Sequence, residues 1–160
     1  MLLGVISDTH IPARASFLPE VLRENFSDVD LILHAGDLVE EQVLSSLEKL
    51  APVEAVAGNM DPACLQERLG NSKVLEYQGF RIGLIHGRGG PERTINYALN
   101  FFSSVDCVVF GHTHQPYCRR HGELLLFNPG SPTDKRHQAR YSLGLLRLEE
   151  EIEGEIIHFE

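Results

Sequence analysis

The sequence predicts an α/β fold in which two packed β-sheets are flanked by helices. Two observations lead to this prediction. In the first third of the chain, short apolar runs alternate with segments of helical periodicity, which indicates a parallel sheet with helical crossovers. The second half contains many short strands separated by glycine turns. A second sheet with helices outside is the natural way to bury that many strands.

The first part of the chain is predicted to follow a β-α-β-α-β order. Residues 2–7, 29–35 and 53–57 are short runs that are apolar on both faces, as expected for strands buried in a parallel sheet. Between them, apolar residues recur at helical spacing over 17–26 and 40–50. Ligands of such sheets bind at the carboxyl ends of the strands, so the site is expected there.

The second half begins with a predicted hairpin, in which Gln78-Gly79 joins strands at 73–77 and 80–86. Pro91 suits the first turn of a helix, and the strand 106–110 follows that helix. Antiparallel strands are predicted at 117–121, 123–127, 141–148 and 152–159, with turns at Gly122 and Gly154. Because no repeat, linker or low-complexity tract interrupts the chain, we expect one domain over residues 1–160.

Composition narrows the function classes. The chain has 160 residues, with 14 basic and 23 acidic side chains and a formal net charge of −9. A chain with this charge has no general electrostatic attraction for nucleic acid or an anionic membrane. No apolar stretch is long enough to cross a bilayer. The three cysteines form no close-spaced pair, which favours a reducing compartment, so we expect a cytoplasmic protein.

Five apolar runs each end in residues that can bind metal, usually beside a glycine. These residues are Asp8 and His10, Asp37, Asn59, His86, and His112 and His114. We expect the ends of these runs to converge on one site. If the segment after residue 110 is extended, residues two apart point to the same side, so both of its histidines would face that site.

The chemistry of this set points to transition metals. Two carboxylates, one amide and four imidazoles, without a thiolate, suit manganese, iron, zinc, nickel or cobalt better than calcium. Two divalent ions bridged by a hydroxide would keep about one positive charge after the two carboxylates are counted. Such a centre would attract and polarise a phosphoryl group.

The order of these motifs resembles that of the calcineurin-like metallophosphoesterases. The motifs are Asp8-Thr9-His10, Gly36-Asp37, Gly58-Asn59, His86-Gly87 and Gly111-His112-Thr113-His114. The likeness runs from residue 4 to about residue 136. The short chain and Asn128-Pro129-Gly130-Ser131 are similar to the small YfcE-type phosphodiesterases. This resemblance implies a four-layer αββα sandwich of two mixed sheets, with a dinuclear metal site at the sheet edges.

The resemblance also implies a role for each ligand. Asp8, His10 and His114 would hold the first metal, and Asp37 would bridge the two ions. The second metal would be held by Asn59, His86 and His112. The amide of Asn59 would also donate a hydrogen bond to a phosphate oxygen. We expect manganese as the metal, with nickel, zinc, iron or cobalt as alternatives.

One position departs from the wider superfamily, in which many members carry a histidine directly after the Gly-Asn pair. Here Met60 stands in that place and cannot transfer a proton. The resemblance to the YfcE-type branch, which also tends to lack this histidine, therefore implies a preference for well-stabilised leaving groups. Asp61 is a candidate substitute acid or a group that orients a ligand; the alternative is a solvated turn residue.

Other polar residues leave two interpretations open. His34 either orients a ligand or is a satisfied core histidine. Lys135, Arg136 and Arg88 either reach a substrate phosphate or are exposed loop cations. The turn at 128–131 either presents backbone amides to the site or is purely structural.

The function predicted from these observations is a metal-dependent phosphodiesterase acting on small phosphodiesters. A hydroxide held by both metals would attack phosphorus in line with the leaving group, so no side-chain nucleophile is required. A phosphomonoesterase is a variant of this hypothesis. The rival is a non-catalytic, protein-binding scaffold, because residues 8–12 also resemble the small retromer subunit. Intact Asp37 and Asn59 favour the enzyme. Homo-oligomer formation is left open.

Overall fold

The computed structural model describes residues 1–160 and contains two five-stranded sheets with four α-helices. The first sheet has the strand order β10-β9-β1-β2-β3. Its strands are β1 (Leu2–Ile6), β2 (Leu31–His34), β3 (Val53–Ala55), β9 (Tyr141–Leu148) and β10 (Ile152–Phe159). Strand β2 lies parallel to both β1 and β3, whereas β9 runs antiparallel to β1 and to β10. Helices α1 (Glu20–Phe26) and α2 (Gln42–Leu47) make the crossovers of the parallel part.

The second sheet has the order β4-β5-β6-β8-β7. Its strands are β4 (Ser72–Tyr77), β5 (Phe80–Ile85), β6 (Cys107–Val109), β7 (Tyr117–His121) and β8 (Leu124–Asn128). Strand β6 lies parallel to β5 and β8, and the outer strands β4 and β7 are antiparallel to their neighbours. Helix α3 (Ala63–Leu69) precedes this sheet, and α4 (Pro91–Phe101) connects β5 to β6.

Successive side chains of a strand point to opposite faces of the sheet, so each sheet packs against the other sheet on one face and against helices on the other. Leu31 and Leu33 of β2 pack with Val109 of the other sheet in the central core, whereas Ile32 faces the cluster that includes residues of α1 and α2. Val108 belongs to a third cluster with residues of α4. The predicted four-layer αββα sandwich is therefore confirmed. The longest helix, α4, has 11 residues, and none of the helices has the length and apolar character needed to span a bilayer.

Three local predictions need correction. Helix α3 has no counterpart among the predicted elements, because this helix buries only Leu65 and lacks an apolar stripe. Gly154 is not a turn: it lies within β10, opposite Leu146, where any Cβ would collide with the ring of Phe127. The first helix begins at Glu20 rather than at residue 17, and the Phe17 side chain is 83% exposed.

Candidate metal centre

All seven predicted ligands lie in the loops after β1, β2, β3, β5 and β6, and they meet at one edge of the two sheets. Asp8, His10 and His114 form the first group, whose ligand atoms all lie within 4.8 Å of one another. The Nε2 atoms of His10 and His114 are 3.3 Å apart. Asp8 Oδ1 is 3.4 Å from Nε2 of His114. Loops that are far apart in sequence thus build one compact set of ligands.

The second group lies beside the first and includes Asp37, Asn59, His86 and His112. His86 Nε2 is 3.3 Å from Asp37 Oδ2 and 3.1 Å from Asn59 Oδ1. His112 Nδ1 is 3.1 Å from the same amide oxygen and 3.3 Å from His86 Nε2. As in the first group, two imidazole nitrogens face each other.

Both carboxylates lie where the two groups meet. Asp37 Oδ2 is 3.5 Å from Nε2 of His10 and 3.3 Å from Nε2 of His86, so it lies between histidines of different groups. Asp8 Oδ1 is also 3.9 Å from both of those nitrogens. This geometry suits Asp37 as a bridging carboxylate. It also places Asp8 near His86 of the second group, whereas the resemblance assigned Asp8 to the first metal only.

The donor set fits divalent cations, because a buried carboxylate oxygen has no partner within the protein. Asp8 is fully buried; its Oδ2 accepts the backbone N–H of His112 at 2.9 Å, but its Oδ1 accepts no hydrogen bond. A buried charge without a partner is costly. A cation among Asp8 Oδ1 and the facing imidazole nitrogens would remove that cost.

Two backbone carbonyls fix the tautomers of the buried histidines. His86 Nδ1 donates to the carbonyl of Ala35 at 2.7 Å, and His114 Nδ1 donates to that of Asp134 at 2.5 Å. A carbonyl only accepts, so the proton of each neutral ring is on Nδ1. The lone pair of Nε2 then points into the site, which is the form in which imidazole binds metal.

The carboxylates dominate the electrostatics of the site. Burial alone would raise the pKa of Asp37, but its hydrogen bond with His86, the charge of His86 and the Met60 N–H together lower that pKa. Burial opposes a proton on His86, yet Asp37 and Asp8 raise the pKa of His86 to about 9. Burial lowers the pKa of His10 and His112. The field that favours a proton on His86 also favours a cation.

A family model described as the calcineurin-like phosphoesterase superfamily domain matches residues 1–151. The chain belongs to this superfamily. The family resemblance predicted from the motifs is therefore confirmed, and the chain is a member of a family of metal-dependent phosphoesterases. The family uses divalent metals, in agreement with the Asp and His groups described above.

Individual relatives agree with this assignment over the whole chain. A probable metallophosphoesterase of Methanothermobacter thermautotrophicus is 47% identical over 161 residues, covering 98% of this chain and 92% of the relative. A solved archaeal phosphodiesterase superposes with a TM-score of 0.79 at 26% identity, covering 99% of this chain and 100% of that one. Vps29 of Entamoeba histolytica, solved in complex with Zn²⁺, superposes with a TM-score of 0.76 at 26% identity, with full coverage of both chains.

The backbone of the candidate metal centre differs from the extended geometry expected after residue 110. His112 and His114 both have positive φ, at 71° and 57°, and they belong to different ligand groups. The expectation of an extended segment is therefore wrong, although both residues reach the site. Asp8, His10 and Asp37 are also left-handed, with φ between 43° and 58°. L-residues seldom adopt this conformation, and strained backbone of this kind clusters at functional sites.

The glycines next to the ligands allow close approach of neighbouring loops. A Cβ on Gly58 would collide with the carboxylate of Asp37, and one on Gly111 would collide with the hydroxyl of Ser7 and lie 2.7 Å from Asp8 Oδ2. Each glycine thus leaves space for the carboxylate of another loop. This accounts for the glycines directly before Asn59 and His112.

Asp61 is buried and holds two ligand loops together. Its Oδ2 accepts the backbone N–H groups of Asp37 at 2.9 Å and Gly58 at 2.7 Å, and its Oδ1 accepts that of Val39 at 2.6 Å. The side chain is 4% exposed, so the solvated-turn interpretation is wrong. Because both oxygens accept backbone N–H groups, the geometry favours a positioning role over that of an acid.

The end of β8 and the loop after it also support the site, through side chains. Ser131 Oγ donates to the carbonyl of Asp8 at 2.8 Å, and Thr133 Oγ1 donates to that of Thr9 at 2.6 Å. Asn128 Nδ2 donates to the carbonyl of Gly111 at 3.0 Å. Thr133 and the carbonyl of Asp134 are not among the predicted site groups, because nothing in their spacing shows which loop they contact.

Two of the cations considered above have other partners. Lys135 Nζ donates to the carbonyl of Ala139 at 3.1 Å, and Arg136 Nε is 4.0 Å from Asp134 Oδ2. Arg14 Nε is 3.2 Å from the same carboxylate oxygen. Arg88 forms no ion pair and faces a groove that is described below.

His34 is a satisfied core histidine. It is fully buried, its Nδ1 accepts the N–H of Gly36 at 3.1 Å, and its Nε2 lies 3.1 Å from the hydroxyl of Thr9. Burial, with the nearby charge of His86, lowers the pKa of His34 to about 3. Through these contacts the neutral ring joins the first two ligand loops.

We expect His34 to reduce stability in acid. Its folded pKa of about 3 lies below the ordinary value of 6.5, so unfolding takes up a proton between these pH values. Stability should therefore fall as pH drops below 6.5, by up to about 1.4 kcal/mol per pH unit from this group, and level off near pH 3. Urea unfolding with a chelator present, compared with His34→Gln, measures this slope. Parallel pH profiles of the two proteins would contradict it.

Proposed function

We propose that the chain is a phosphodiesterase that hydrolyses small phosphodiesters at a dinuclear metal centre. The observation that carries the proposal is the buried, unpartnered Asp8 Oδ1 between two sets of facing imidazoles. In this proposal Asp8, His10 and His114 would hold one ion. Asn59, His86 and His112 would hold the second ion, and Asp37 would serve both. When bound, such ions supply Lewis acidity and lower the pKa of water.

The side chains around the centre define how a substrate would approach. The first group and Asp37 are buried, whereas Asn59 is exposed and His112 is half-buried, so the open side faces the second group. The amide oxygen of Asn59 faces His86 and His112, which leaves its Nδ2 to donate to a phosphate oxygen. The substrate would therefore bind from this side.

The preferred substrates would have good leaving groups. Met60 takes the place of the superfamily histidine and is 58% exposed, and it has no proton to transfer. Asp61 accepts three backbone N–H groups instead of facing the open side. A leaving oxygen would then depart without a proton from these residues, which favours stable alkoxides or aryl oxides. The similarity to a solved archaeal phosphodiesterase supports diesters as the substrate class.

Metal restoration tests this proposal. The protein is stripped with a chelator, reloaded separately with manganese, nickel, zinc, iron or cobalt, and assayed on bis(p-nitrophenyl) phosphate and p-nitrophenyl phosphate. We expect reloading, most of all with manganese, to restore hydrolysis of the diester at a higher kcat/KM than that of the monoester. A higher rate on the monoester would favour a phosphomonoesterase. Fully metal-loaded protein that is inert on both would overturn the proposal.

A protein-binding scaffold is the second candidate. A groove of about 270 Å³ is lined on its apolar part by Ile11, Pro12, Leu18 and by Phe17, which is 83% exposed. The Vps29 neighbours fit this alternative. A scaffold requires no hydrolysis, so the activity of fully metal-loaded protein distinguishes the two candidates.

A further inference from the structure

A polar groove leads away from the candidate metal centre along α4. Its inner part, about 230 Å³, is lined by Asn59 and His86 of the second ligand group and by Tyr97. Its outer part, about 710 Å³, shares Tyr97 and is lined by Arg88 and Arg93. Because Tyr97 lines both parts, the part that contains the two arginines lies next to the part that contains Asn59 and His86.

One face of α4 supplies hydrogen-bond donors to the outer part. Arg93, Asn96, Tyr97 and Asn100 follow an i, i+3, i+4, i+7 spacing, so they lie on the same side of the helix. Guanidinium and amide groups donate hydrogen bonds, and guanidinium is always charged. Donors and positive charge on one face favour an anionic ligand.

The two arginines of the groove have no acidic partner. Neither Arg88 nor Arg93 lies within 4 Å of a carboxylate, whereas most other arginines of the chain form ion pairs. The Arg88 guanidinium lies 4.2 Å above the centre of the Tyr97 ring. The buried Thr94 donates to the carbonyl of Arg88 at 2.8 Å and holds the backbone at the groove. In a chain of net charge −9, this is a local excess of positive charge.

We infer that this groove binds a terminal phosphate on one arm of the substrate, while the metal centre binds the diester. The inference rests on the proposed function. Two guanidinium groups suit a phosphate dianion, because each presents a planar set of N–H donors that matches the phosphate oxygens. The preferred substrates would then be diesters with a second, terminal phosphate.

Calorimetry on manganese-loaded protein tests the groove without requiring hydrolysis. The probes are alkanediol bisphosphates with two to six carbon atoms, each compared with the monophosphate of the same diol. At one or more lengths we expect the bisphosphate to bind at least about tenfold more tightly, which exceeds the factor of two from its two equivalent ends. The double variant Arg88→Gln/Arg93→Gln should reduce this ratio to about two without changing the monophosphate Kd by more than about twofold.

A matched control distinguishes binding in the groove from the effect of the overall charge of the protein. Arg23→Gln/Arg147→Gln removes the same charge away from the groove and should leave the ratio unchanged. A bisphosphate preference of no more than about twofold in the wild type at every length would overturn the inference. An equal loss of this preference in both double variants would also overturn it. If the preference is present but no diester is hydrolysed, only the proposed function fails. If neither probe binds metal-loaded protein, both proposals fail.

Discussion

Asp37→Asn should lower kcat/KM for an activated diester by at least about a thousandfold, as expected when several kcal/mol of Lewis-acid stabilisation are lost. Asp37 Oδ2 lies between His10 and His86, so both ligand groups depend on it. The asparagine oxygen can still accept the Met60 N–H that Oδ1 now accepts at 2.8 Å, so the fold should persist. The amide N–H₂ would then face two imidazoles that should bind metal.

The metal content of the same variant should fall from two ions per chain to one or fewer. Asp28→Asn is the matched control, because it makes the same chemical change at an exposed loop residue and should leave rate and metal content unchanged. A loss of less than tenfold, with two ions retained, would show that Asp37 does not bridge.

Asp61→Asn should lower kcat about 10–100-fold, by the same factor for aryl and alkyl leaving groups. The substitution places an N–H₂ group against backbone N–H groups that now donate to the carboxylate, which should also cost about 1–3 kcal/mol of stability. The loops of Asp37 and Gly58 would then move apart, and the second ion should bind more weakly.

Leaving-group dependence distinguishes positioning from acid catalysis at Asp61. A positioning residue slows both ester classes equally, whereas loss of an acid slows alkyl esters far more than aryl esters. Asp28→Asn again serves as the control. A selective loss on alkyl esters with unchanged metal affinity would restore the acid interpretation of Asp61.

The layered fold and the convergence of the ligands could be predicted because each depends on local sequence. Leu31, Ile32 and Leu33 show a strand buried on both faces, and Gly36-Asp37 follows directly where that strand ends. The parallel pairing of β1 and β2 then brings Asp8 and Asp37 to the same edge. The sequence therefore predicted that carboxylates, an amide and imidazoles would meet at one site.

Contacts between loops could not be predicted, because they depend on tertiary structure rather than on spacing. Nothing in the sequence shows that Asp61 accepts three backbone N–H groups, or that Ser131 contacts the carbonyl of Asp8. The left-handed backbone at His112 and His114 overrides the extended geometry that an i, i+2 pair suggests. These loop contacts determine which metal each histidine would bind.

The most direct test of a dinuclear centre is an anomalous difference map of crystals reconstituted with manganese. We expect two peaks about 3.5–4 Å apart. One should lie within bonding distance of Nε2 of His10 and His114, and the other within bonding distance of His86 Nε2 and His112 Nδ1. A single peak, or peaks away from these nitrogens, would contradict the account.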